Sequence, residues 1–137
     1  MRVDLEYLKG FLDVVLDSEH PDFRIDHDDI KPLWEDDEKL KKLVFHMEIL
    51  SDQGLIESST DSPGIGFRRM GTGGFNVSLK PLRLTAKGHQ FAADLSKPGV
   101  FGQLKSSFRD AGPSETVKVV FALGKKALEK KLDDLLE

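Results

Sequence analysis

The chain has no cysteine, and it holds one tryptophan and one tyrosine among 137 residues. Without a thiol there is no disulfide, no thiolate-bound metal and no cysteine nucleophile, a composition suited to a reducing compartment. No apolar run reaches the ~18 residues of a membrane span, and the opening M-R-V-D-L-E-Y-L-K-G is too charged for a signal peptide. A cytoplasmic protein without membrane contact is therefore expected. Catalytic spacings are also missing. Neither H-x-x-x-H nor H-E-x-x-H occurs, G-x-x-x-x-G-K-[ST] is absent, and no Ser, His and Asp stand at a triad-like spacing. No catalytic residue, cofactor or metal is expected, and the chain reads as a non-enzyme.

Several stretches imitate chemistry without its full pattern. His20, Asp22, Asp26, His27, Asp28 and Asp29 form the densest group of possible metal ligands. A calcium loop begun at Asp26 would meet Lys31 where its turn glycine belongs and Asp37 where its closing glutamate belongs. A solvated acidic loop with helix-capping carboxylates fits better. The run Glu35-Asp36-Asp37-Glu38 stands where a helix N-terminus favours negative charge. Gly64, Gly66, Gly71, Gly73 and Gly74 suit a flexible loop tip rather than a phosphate cradle. His46 and His89 each read as buried, hydrogen-bonded structural side chains.

What is present is an ordinary globular composition, 39% hydrophobic and 32% charged, at a length that fits one domain. The net charge of −4 conceals a polarity: residues 1–61 carry 17 Asp+Glu against 7 Lys+Arg, and residues 62–137 carry 7 against 13. Long-range attraction of the whole molecule to nucleic acid is thereby weakened, so any such binding must be local.

Periodicity predicts the elements. Leu5, Leu8, Leu12, Val15 and Leu16 recur at helical spacing behind a capping Asp4, giving a first helix over about 4–18. A polar loop with a brief strand at Phe23 and Ile25 follows, then a short helix around Ile30, Leu33 and Trp34 capped by Asp28 or Asp29. Residues 36–53 form the clearest helix, with Leu40, Leu43, Val44, Met47 and Leu50 on one stripe and Gly54 as its stop. Leu55–Ser58 is strand-like, 60–74 reads as a long mobile loop, and Phe75, Val77 and Leu79 alternate as the returning strand of a hairpin. Thr85 caps a helix over 86–96, a further helix spans about 99–110, and the last runs from about 114 to the end. In the last helix Val117, Phe121 and Gly124 repeat eleven residues later as Leu128, Leu132 and Leu135. Leu8, Leu12, Leu43, Met47, Leu50, Phe91 and Leu95 are expected to share one core.

This order is that of a winged helix-turn-helix: mostly α with a small antiparallel β wing, over residues 1–96, with a helical C-terminal extension, 97–137, packed on it or dimerising. Two blocks sharpen the reading, F-H-M-E-I-L-S-D-Q-G-L-I-E (45–57) and R-L-T-A-K-G-H-Q-F-A-A-D-L (83–95). Together they resemble the family of bacterial and phage proteins with domain of unknown function 2513. Ala86 stands where that family more usually has an aromatic. The resemblance implies a winged-helix fold and transfers no functional residue.

The outward face of helix 36–53 decides the functional expectation. It presents Glu38, Lys42, Phe45, Ile49 and Asp52, a mixture unlike the Arg, Lys, Asn or Gln of a base-reading helix. The wing offers Arg68 and Arg69 in its tip with Lys80 and Arg83 on its return, all suited to phosphates. The expected role is thus a regulator holding duplex DNA through Arg68, Arg69, Lys80, Arg83 and Lys42. The alternative is a protein-interaction or homodimerisation module, with Phe45, Ile49, Leu128, Leu132 and Leu135 at the interface, pairing through the C-terminal helix.

Overall fold

The computed structural model describes all residues, 1–137. It is an α+β structure of five α-helices and two small antiparallel strand pairs. Helix α1 (Leu5–Asp17) starts where the Asp4 side chain accepts the Tyr7 N–H at 3.0 Å. It buries Leu5, Leu8, Phe11 and Leu12, so the inward face turns towards Phe11 and away from Leu16. Phe11 meets Phe23 edge to face, with ring centroids 5.7 Å apart.

The strand expected near Phe23 is a single bridge, in which Phe23 and Leu82 exchange both backbone hydrogen bonds. The short helix is a 3-10 turn (Lys31–Leu33) that begins at Ile30 without a side-chain cap, so Asp28 and Asp29 do not serve there. Trp34 fixes this turn by donating its indole N–H to the Ile25 carbonyl at 2.6 Å.

Helix α2 (Asp37–Asp52) is capped by Asp36, which accepts from the Lys39 N–H, and acids occupy its first turn. At the other end Leu55 N–H donates to the Leu50 carbonyl and Gly54 N–H to that of Ser51, with Gly54 at φ 72°. This is the Schellman closure, and it requires the left-handed conformation that glycine adopts freely. The apolar C″ residue, Leu55, is itself buried.

Strand pairing departs from the expectation. β1 (Ile56–Ser58) pairs not with residues 75–79 but with β4 (Leu82–Leu84), in the register Ile56 to Leu84 and Ser58 to Leu82. The stretch expected to be a mobile loop contains β2 (Phe67–Arg69), which pairs with β3 (Phe75–Val77) as a separate ribbon. The cause is visible in burial: Leu82 and Leu84 both point into the core, whereas Val77 and Leu79 are exposed. Antiparallel pairing of β1 with β4 buries two leucines that the alternative register would leave wet.

Thr85 joins this sheet to helix α3 (Ala86–Leu95). Its hydroxyl accepts the Gly88 N–H and donates to the Gly54 carbonyl at 2.6 Å, while its own N–H donates to the Leu55 carbonyl. Lys87 Nζ reaches the Gln53 carbonyl at 3.0 Å. The two sequence blocks singled out above are therefore clasped to one another, which gives both a structural reason.

Helices α4 (Val100–Ser107) and α5 (Pro113–Leu136) complete the fold. Val100, Leu104, Val117 and Val120 belong to the same 21-residue apolar cluster as Leu8, Leu12, Leu43, Met47, Leu50, Phe91 and Leu95. The seven residues expected to share a core do share one, and the C-terminal helices add to it. α5 lies so close to α3 that a Cβ at Gly124 would fall 2.3 Å from the carboxyl carbon of Asp94. Asp94 is buried there and accepts from Gln90 Nε2 and Lys97 Nζ, so its charge is compensated.

Candidate interaction surfaces

Of the five cations expected to hold phosphates, four are engaged within the chain. Lys42 Nζ lies 2.6 Å from Asp4 Oδ2 and 5.0 Å from the centre of the Tyr7 ring. Arg69 bridges the β2–β3 ribbon to α2 through Glu48 at 2.5 Å. Arg83 is paired across the sheet with Glu57 at 2.9 Å, as the β1–β4 register dictates. Lys80 donates to Ser62 Oγ and to the Pro63 carbonyl, tying down the loop before β2. Arg68 alone has no intramolecular polar partner and stands exposed beside Arg69. The structure thus ties three of the five residues into ion pairs and a fourth to neutral oxygens of its own chain.

Phe45 and Ile49 are half-buried. Phe45 meets His46 edge to face and looks into a cleft of about 560 Å³ shared with the N-terminal residues Met1–Val3 and the turn Arg109–Pro113 between α4 and α5. The outer face of α2 is therefore hemmed by its own chain: Lys42 bound to Asp4 at one level, Phe45 bordering this cleft, Glu48 holding the ribbon at the next.

A polar network that sequence spacing did not reveal sits where α1 begins. His46 is buried, its Nε2 accepting the Asp4 N–H at 2.9 Å while its Nδ1 lies 2.7 Å from the Lys42 carbonyl. Those partners make Nδ1 the protonated nitrogen of a neutral ring. Tyr7 stacks obliquely on it and donates its hydroxyl to the Leu33 carbonyl. Burial pushes the His46 pKa below its usual 6.5, and the hydrogen bond from Lys42 lowers that of Asp4. Burial likewise raises Tyr7 to about 12. The sequence expectations of Asp4 as a cap and of His46 as a buried, hydrogen-bonded side chain both hold, and what spacing did not show is that the two meet. His89, in contrast, is exposed and not the buried structural residue expected.

This network sets a pH dependence. A histidine whose folded pKa is depressed stabilises the fold above its unfolded value, near 6.5, and that contribution is lost as pH falls towards the folded value. Asp4 acts in the same direction further down, below its ordinary 3.8. Denaturant titrations from pH 7 to pH 5 should show falling stability in the native chain and a flatter profile in His46→Gln, which cannot take up a proton. Parallel profiles would remove His46 as the cause.

The acidic loop brings His20 and His27 to a ring separation of 6.2 Å, but no three His, Asp or Glu side chains converge as metal ligands would. No helix is long and apolar enough to cross a membrane.

The C-terminal helix carries the other expected surface. Val117, Val120 and Gly124 are buried, but beyond Gly124 every residue of α5 except Ala127 is exposed. Leu128 and Leu132 are each 47% exposed and Leu135 71%. Leu136, at 83%, borders the same stripe and was not singled out in the sequence. Val117, Phe121, Gly124, Leu128, Leu132 and Leu135 follow one another at steps of four, three, four, four and three residues, so one continuous face docks on the body and then runs on bare. No protein family, curated protein or solved structure matches the chain.

Proposed function

We propose that this is a non-enzymatic winged-helix protein whose α5 serves as a protein-interaction element. The carrying observation is the run of exposed leucines at 128, 132 and 135 on the continuation of a docked helical face. An apolar stripe of this kind, bordered by charge, marks an association surface in a folded protein. The engagement of Lys80 and Arg83 on the wing, and of Lys42 on α2, by groups of their own chain supports the same choice.

A second reading, phosphate binding by the β2–β3 ribbon, is favoured by one observation. Arg68 is unpaired, and Arg69 is 72% exposed in its bridge to Glu48, an arrangement worth only about 0–1 kcal/mol and readily exchanged for a phosphate. The two readings separate in one experiment on the full chain. A photo-cross-linking residue at position 132 is expected to capture protein, whereas one at position 133, off the stripe, is not; one at position 68 is expected to capture neither protein nor DNA. Capture of DNA at 68 with nothing at 132 would overturn the interaction reading in favour of the ribbon.

A further inference from the structure

We propose that the leucine stripe of α5 is occupied by the same stripe of a second copy of this chain, running antiparallel. The inference rests on the interaction reading above and names its partner. Its basis is the distribution of charge along the bare segment. Lys125, Lys126, Lys130 and Lys131 lie towards the body, and Asp133, Asp134 and Glu137 lie at the far end. Glu129 is the one acid among the lysines.

A parallel pair would set lysines beside lysines and acids beside acids. An antiparallel pair sets the basic half of each helix beside the acidic half of the other, and it also opposes the two helix dipoles. With the two-fold axis beside Leu132, each Leu132 meets its counterpart, and Leu128 comes level with Leu136 of the partner subunit, with Leu135 of the partner subunit ~1.5 Å nearer the axis. Lys131, which borders the stripe on one side, then lies within one residue, ~1.5 Å along the axis, of Asp134 of the partner subunit on the same flank, and the symmetry repeats that pair. Lys126 comes within one residue of the level of Glu137 of the partner subunit. One axis position brings the leucine layers and the ion pairs to within about one residue of level together, which is what selects it.

The bare segment is about three helical turns, so the buried surface falls below the ~1,200 Å² of a standard interface and the association is weak. The dimer is expected to form reversibly at roughly 10 µM to 1 mM.

The experiment uses the full chain in sedimentation equilibrium over that concentration range. The native protein is expected to rise from monomer to dimer mass, and Leu132→Asp to remain monomeric while unfolding at the native temperature, since Leu132 lies outside the packed body. Lys131→Asp and Asp134→Lys are each expected to weaken self-association at least tenfold. Mixing these two variants is expected to restore a dimer, because one then carries acids at both positions and the other lysines. A native chain that stays monomeric throughout would overturn self-pairing; the interaction reading would survive only if position 132 still captured a different protein. A dimer unaffected by the charge changes, or not recovered on mixing, would overturn the antiparallel arrangement.

Discussion

Gly88→Ala is expected to destabilise the fold by ~3 kcal/mol or more, although alanine is the better helix former by ~1 kcal/mol. A Cβ at position 88 would lie 2.0 Å from the Leu55 carbonyl oxygen and 2.9 Å from its carbon. Both are backbone atoms, so no rotamer change relieves the contact. The same carbonyl accepts the Thr85 N–H at 3.0 Å, and Leu55 closes the Schellman motif of α2, so moving it disturbs the sheet and two helix ends together. A chemical denaturation curve measures the loss. A variant as stable as the native chain would show that α3 and the α2–β1 corner do not approach so closely.

Leu43→Ala should cost ~2–5 kcal/mol, the range for deleting most of a fully buried leucine and leaving a cavity. Leu43 has no exposure at all, and it sits in the cluster that joins α1, α2, α3 and α5. Leu16→Ala is the control, since that residue is 38% exposed at the end of α1 and should lose well under ~1 kcal/mol. Similar losses at the two positions would mean that the stripe of α2 does not face the centre of the molecule.

Both predictions concern features of different visibility in the sequence. The α2 stripe was legible because sixteen residues give periodicity room to declare itself, and the five helices begin and end within about three residues of where spacing and caps put them. The strands were not legible in the same way. Each is three residues long, too short for alternation to fix a partner, and Phe67–Arg69 lies inside a stretch whose Gly, Pro and Ser content suggests a loop. Leu82 and Leu84 alternate around Arg83, but three residues between Pro81 and Thr85 are too few to show which strand they pair with.

The cations were misplaced for a related reason. Arg83 faces Glu57 only once β4 is paired with β1, and Arg69 reaches Glu48 only because the ribbon lies against α2. A list of positive residues close in sequence says nothing about which acids the tertiary structure will set opposite them. The Asp4, Tyr7, Lys42 and His46 network was hidden similarly, its members separated by as many as 42 positions. The exposed leucines of α5 were visible because the helix carries its own ruler.

That ruler has a consequence for how the C-terminus can vary. The docking of Val117, Val120 and Gly124 fixes the rotation of α5, so the direction in which Leu128, Leu132 and Leu135 point is set there and transmitted along an uninterrupted helix. Each residue advances the phase by about 100°, so inserting one between Gly124 and Leu128 would swing the leucines a quarter-turn out of line without touching the core. Adding eleven would return them almost to their original bearing while carrying them ~16 Å further from the body. The segment behaves as an indexed shaft: its length is free to drift in whole repeats, and its angle is not.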